Sequence, residues 1–192
     1  MTKSAMTWIT FAALGAIVHC ASLRAEDIDK CLEAQVVAQA GDQAGAIDLF
    51  NECIKNGELS KHSLIATYRN IGTAYRVSKK YAESIYFSNR AMGLHPDDPW
   101  SDYVNRANAY DEQGDFDKAL ADYDVALKLR PGLGQAYYNR GVTYEHQKKF
   151  NKALNQFIEA YNHGLRTELL YERLVVYGLA DKVNKEDFDA DE

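Results

Sequence analysis

Two stretches of this chain, YVNRANAYDEQGDFDKAL from Tyr103 and YYNRGVTYEHQKKFNKAL from Tyr137, are near copies set 34 residues apart. A fixed period between about 20 and 50 residues marks stacked repeat units, each unable to bury its apolar side without a neighbour. The repeat accounts for part of the unusual count of 13 tyrosines, because several stand at matched positions. With 46% hydrophobic and 26% charged residues, the chain lies in the range of folded globular proteins and not of disordered ones.

Aligned on the period, one unit reads Tyr103, Arg106-Ala107, Tyr110, Gly114, Phe116, Ala119, Tyr123, Ala126 and Pro131. The next reads Tyr137, Arg140-Gly141, Tyr144, Phe150, Ala153, Phe157 and Ala160, and the preceding one Tyr68, Ile71-Gly72, Tyr75, Tyr81, Ala91 and Pro96. Within a unit, Tyr103, Ala107 and Tyr110 recur at i, i+4 and i+7, one face of an amphipathic helix. A second helix follows, with Phe116, Leu120, Tyr123, Ala126 and Leu127 on its buried side. Gly114 suits the helix end between them, where positive φ is required. Ala107 facing Ala119 lets the two helices approach closely. Pro96 and Pro131 stop the second helices, because proline has no N–H to continue them. In Asp97-Asp98-Pro99-Trp100, Asp98 is expected to cap the following helix and Pro99 to open it.

This pattern resembles the tetratricopeptide repeat family, whose units follow W-x2-L-G-x2-Y, then A-x3-F, then P. The likeness is strong over residues 65–164, although Tyr68, Tyr103 and Tyr137 stand in place of Trp and Arg106 and Arg140 in place of Leu, while Ser84 and Ser88 weaken the earliest of the three units. It implies an all-α fold, a right-handed superhelical array of helical hairpins, with units at 65–98, 100–133 and 134–166. A degenerate hairpin at 27–59 keeps Ala34, Val37, Gly41, Ala46, Phe50 and Cys53. A C-terminal cap helix at 167–183 covers the last unit with Leu169, Leu170, Leu174, Val175 and Leu179, and an acidic tail at 184–192 is expected to fray.

Residues 1–25 combine Lys3, an uncharged apolar run from Met6 to Val18 and small residues ending in Ala25. That is a secretory signal pattern, with an uncleaved anchor as the other reading. Cleavage removes two cations and no acid, so the net charge moves from −6 to −8. A periplasmic or secreted acidic domain is expected, with no nucleic-acid partner, because phosphate binding needs a basic face. No membrane contact is expected after signal cleavage. Cys31 and Cys53 each lie 11 residues from Asp42, so antiparallel helices bring them level. A disulfide and a pair of buried thiols are both open, and an exported location favours the disulfide.

In an array of this kind the first helix of each unit lines the concave face. Asn70, Asn105 and Asn139 occupy equivalent places there, and an amide offers both a donor and an acceptor. Family members that grip extended peptides use a similar row, so the resemblance implies a peptide-binding groove for a peptide or protein partner. The other reading bonds these amides to neighbouring helices. Further groove candidates are Arg69, Arg76, Asn108, Asp111, Tyr138, Val142 and Glu145. Some family members hold a C-terminal carboxylate in a clamp of Lys, Arg and Asn; Arg69, Asn70 and Asn105 match part of it, with Val104 and Gln135 at the remaining basic positions. No catalytic set, metal site, phosphate loop, nucleophile elbow or cofactor motif stands out, so the expectation is a non-catalytic module without cofactor. A structural subunit of an envelope complex, contacting partners through its convex face or cap, is the rival reading. Leu170, Val176 and Tyr177 add apolar surface through which the cap helix is a candidate for self-association.

Overall fold

The computed structural model describes residues 25–56, 59–179, 182–183 and 188. Among them nine helices and no strands occur: α1 (Ala25–Gln39), α2 (Gln43–Asn56), α3 (Lys61–Val77), α4 (Tyr81–Leu94), α5 (Trp100–Gln113), α6 (Phe116–Leu129), α7 (Gly134–His146), α8 (Phe150–Asn162) and α9 (Glu168–Val176). Helices pack chiefly against their neighbours in sequence, so the fold is a solenoid of hairpins with α9 laid against α8. The signal-like segment lies outside the described residues, except for Ala25 at the start of α1.

Small residues set the hairpin geometry. Ala107 and Ala119 are both fully buried and cluster with Tyr123, which is 1% exposed. Phe50 and Phe157 fill the matching places in α2 and α8. Each such side chain gains roughly 2–3 kcal/mol on burial. Ser84 and Ser88, which weaken the family pattern, are buried on α4, where the Ser88 hydroxyl donates to the Ser84 carbonyl.

Helix ends follow the expected chemistry with two differences. Ser60 caps α3 and Thr167 caps α9, each accepting from the backbone N–H three residues on. Pro96 and Pro131 follow immediately after the terminal residues His95 and Arg130. The first difference is at α5, which begins at Trp100 with Pro99 as its boundary residue and no side-chain cap. Asp98 instead pairs with Arg130 at 3.1 Å, so its carboxylate ties two inter-hairpin loops together. The second concerns the turns inside the hairpins. Gly114 takes positive φ as expected and Gly41 does the same, yet Lys79 and Lys148 occupy the same turn position with φ of 60° and 58°. At all four turns this residue and the next donate back to the preceding helix, for example Lys79 N–H to the Arg76 carbonyl and Lys80 N–H to the Tyr75 carbonyl. These are Schellman closures, which satisfy carbonyls the helix leaves open.

The two arginines that replace leucine in the family pattern join the hairpins. Arg106 binds Asp122 of its own hairpin through two bonds of 2.7 and 2.8 Å and Asn89 of the previous one at 2.5 Å. Arg140 repeats this with Gln156 and with Asp124. A planar guanidinium presenting several donors suits such three-way bridging.

The C-terminal end differs from expectation at Leu169, Leu170, Val175 and Phe188. Leu170, expected both to cover the last unit and to add self-association surface, is fully buried with Leu174 against α8, whereas Leu169 and Val175, expected in the same cover, are 61% and 37% exposed, and Val176 is 79% exposed. Phe188, within the tail expected to fray, is 8% exposed and packs between Tyr161 and Tyr171.

Candidate functional site

The first helices of successive hairpins present two clefts. The larger, of about 660 Å³, is built from α3, α5, α7 and α9. Asn105, Asn108 and Asp111 come from α5, one helical turn apart, and Tyr138, Asn139 and Val142 from α7. Arg76 reaches in from α3, and Leu169 and Arg173 from α9. The smaller cleft, of about 440 Å³, lies between α1, α2 and α3 and is lined by Gln35, Gln39, Gln43, Asn70 and Thr73 around Phe50 and two alanines, with no charged side chain.

In the larger cleft the Gln135 amide donates to Asn139 at 2.8 Å, Asn139 donates to Asn108 at 2.9 Å, and the Tyr123 hydroxyl donates to the same Asn108 oxygen at 2.5 Å. With its carbonyl oxygen taken by two donors, Asn108 has its NH₂ to offer outward. Burial, followed by the nearby Asp111 carboxylate, pushes the Tyr123 hydroxyl upward in pKa, so it stays a donor. Asn70 and Asn105 make no side-chain hydrogen bond among the described residues. Two ion pairs flank the cleft: Arg76 with Glu112, and Arg173 with Glu145, which also accepts from the Tyr177 hydroxyl at 3.0 Å. Asp111 is 9% exposed and lies 3.1 Å from His146 Nδ1.

The structure therefore brings Arg76, Asn105, Asn108, Asp111, Tyr138 and Asn139 together, with Val142. Asn70 faces the other cleft, so the row of three asparagines is divided between two sites. Glu145 acts on the cleft through Arg173. Arg69 is engaged elsewhere: its guanidinium binds the fully buried Asp102 through bonds of 2.7 and 2.9 Å, and His95 Nε2 lies 2.6 Å from the same carboxylate. This takes Arg69 out of a carboxylate clamp with Asn70 and Asn105. Sequence reasoning missed Arg173 and assigned Leu169 to the cover of the last unit, because the period ends before α9, and missed the glutamines of α1, whose repeat is degenerate.

Cys31 and Cys53 have Cα atoms 5.4 Å apart, inside the range a bridge needs, with the Cys31 sulfur 4.0 Å from Thr67 Oγ1. Among the described residues no group of three or more metal-ligating side chains occurs, and no helix is long and apolar enough to cross a membrane.

Residues 104–163 match the family model described as tetratricopeptide repeat. Several solved structures share the fold. A MamA structure from Desulfovibrio magneticus is 12% identical, with 88% of this chain and 92% of that one covered and a TM-score of 0.64. A tetratricopeptide repeat protein of Parabacteroides merdae is 21% identical, with 85% and 62% covered and a TM-score of 0.62. YrrB, described as a TPR protein with an unusual peptide-binding site, is 21% identical, with 76% and 71% covered and a TM-score of 0.59. No curated protein matches the chain in sequence.

Proposed function

Because the chain is a tetratricopeptide repeat protein, we propose that it is a non-catalytic interaction module that holds an extended peptide, or an extended segment of a protein partner, along its concave face. The observation that carries this reading is the cleft between α5 and α7, where Asn105 makes no side-chain hydrogen bond among the described residues and Asn108 offers its NH₂. Amides in this state address a peptide backbone without selecting side chains. The likeness to YrrB, a peptide-binding protein by its description, supports the same reading. The signal-like segment supports a bacterial envelope location, and that location in turn favours a Cys31–Cys53 disulfide.

The test is selection of a random phage-displayed peptide library on the immobilised protein, followed by titration of the recovered peptides against an Asn70→Ala/Asn105→Ala variant. We expect weakened binding, by about tenfold for the loss of one or two net hydrogen bonds, at unchanged thermal stability. Peptides that bind both proteins equally would place the working surface elsewhere. A scaffold role through α9 is the second reading, favoured by the exposure of Val176 and Leu169. Concentration-dependent dimerisation in the analytical ultracentrifuge, abolished by Val176→Asp, would support it.

A further inference from the structure

The turns inside the four hairpins alternate in sequence: Gly41-Asp42, Lys79-Lys80, Gly114-Asp115 and Lys148-Lys149. All four lie on one edge of the solenoid, because each joins the first helix of a hairpin to the second. The lysines of this edge differ from the arginines in what they do. Every arginine of the described residues holds a hydrogen bond or ion pair within the fold, as Arg69 does with Asp102, Arg106 with Asp122 and Arg173 with Glu145. The exposed Lys79, Lys80, Lys148 and Lys149 have no acidic partner among the described residues. In the intervening turn, by contrast, Asp115 is paired with Lys118 at 2.6 Å and Asp117 accepts from Gln147 at 3.3 Å.

Two further observations set these turns apart. Lys79 and Lys148 hold a left-handed backbone that the sister turns give to glycine. A side chain at such a position is strained, and the strain is kept where glycine would relieve it, which points to a use for the side chain. Apolar groups also stand exposed beside the lysines: Phe150 is 55% exposed directly after Lys149, and Val77 is 52% exposed two residues before Lys79. Lys152 extends the second cluster, its ammonium 5.5 Å from the Tyr144 ring. Lysines with an exposed aromatic and an aliphatic group on one edge are the elements of interfacial membrane attachment, in which the rings enter the headgroup layer and the cations meet anionic lipid.

We propose that this turn edge docks the protein on an anionic phospholipid bilayer, edge on, with the concave clefts left open. The chain is acidic as a whole, but a surface potential reaches only about a Debye length, so Lys79, Lys80, Lys148, Lys149 and Lys152 are weighed against the acids that share their edge, Asp42, Asp115 and Asp117, of which Asp115 is paired with Lys118. The inference does not depend on what the clefts bind.

The test is co-sedimentation of the full chain with vesicles of phosphatidylcholine alone or mixed equally with phosphatidylglycerol, for the natural protein and a Lys79→Gly/Lys80→Gln/Lys148→Gly/Lys149→Gln variant. Residues 1–24 are common to both proteins, so binding through them cancels in the comparison. Glycine relieves the backbone at the two strained positions, so the variant is expected to melt no lower than the natural protein. We expect the natural protein to prefer anionic vesicles, to lose that preference in high salt, and to exceed the variant by at least about tenfold in partitioning. Equal partitioning of the two proteins, or no preference for anionic over neutral vesicles, overturns the proposal. Binding to soluble polyphosphate without any vesicle preference overturns it in favour of a soluble polyanion.

Discussion

Gly141→Ala is a one-methyl test of how the hairpins close. Gly72, Ala107 and Gly141 occupy the same repeat position on α3, α5 and α7. A Cβ at position 141 would lie 2.6 Å from Phe157 Cε1, 2.9 Å from Cδ1 and 3.1 Å from Cζ. The ring has little room to retreat, being fully buried between Tyr138 and Tyr177, whose centroids are 5.6 and 5.8 Å away. At position 72 the same methyl meets the Ser84 carbonyl at 3.4 Å and Phe87 Cβ at 3.6 Å, ordinary contacts. Both substitutions gain about 1 kcal/mol of helix propensity. Only the first suffers overpacking, of about 2 kcal/mol. Gly72→Ala should therefore be stabilised by about 1 kcal/mol and Gly141→Ala destabilised by about 1 kcal/mol, and their difference cancels the propensity contribution. For a chain of this size the two should melt about 4–8 °C apart, measured by circular dichroism with urea titration for the free energies. If Gly141→Ala proves as stable as Gly72→Ala, the close approach of α7 to Phe157 is not what selects glycine there.

Asp102→Asn leaves the half-buried Arg69 guanidinium without its counter-charge, and should lower stability by about 3 kcal/mol in urea unfolding. Reducing the Cys31–Cys53 pair, or replacing both by serine, should cost about 3 kcal/mol and raise hydrogen exchange in α1, which buries Ala34; two alkylatable thiols in the unreduced protein would contradict the bridge. Burial, the hydrogen bond to Glu145 and the charge of that carboxylate push the Tyr177 hydroxyl up to about 12. A raised folded pKa means that the folded state keeps its proton longer, so this contribution to stability is complete below pH 10 and is lost as pH rises towards 12; absorbance titration should show a late-ionising tyrosine that disappears in Tyr177→Phe.

Much of the fold was legible because a repeat states its packing several times. Ala107, Ala119 and Tyr123 form a buried cluster at the positions the period assigns, and Gly114 takes the positive φ that a hairpin end needs. Lys79 and Lys148 were not legible as left-handed residues, since only alignment to Gly41 and Gly114 reveals the position and lysine is a poor occupant of it. Phe188 escaped notice for the opposite reason: a lone aromatic among acids carries no period, and its burial depends on Tyr161 and Tyr171 from elements far along the chain. The pairing of Arg69 with Asp102 joins residues of consecutive hairpins, and a charge pattern within one helix does not show which hairpin supplies the counter-ion.

The placement of the candidate site follows from the same repeat geometry. In each of the three regular units an arginine sits next to the ladder asparagine, as Arg69-Asn70, Asn105-Arg106 and Asn139-Arg140. Adjacent residues on a helix point about 100° apart, so one side chain can cross to a neighbouring helix while the other faces the groove. Arg106 and Arg140 reach the second helices of two successive hairpins, and Arg69 reaches Asp102 on α5. Packing therefore claims the arginines and leaves Asn70 and Asn105 without a side-chain hydrogen bond among the described residues. Asn139 is the intermediate case, because its bonds to Gln135 and Asn108 lie inside the cleft and orient the outward amide. Substitution at the arginines should lower stability in every assay, whereas substitution at Asn70 or Asn105 should be nearly silent in unfolding and appear only when a peptide is titrated. A single face of the solenoid thus separates what holds the array together from what it can hold.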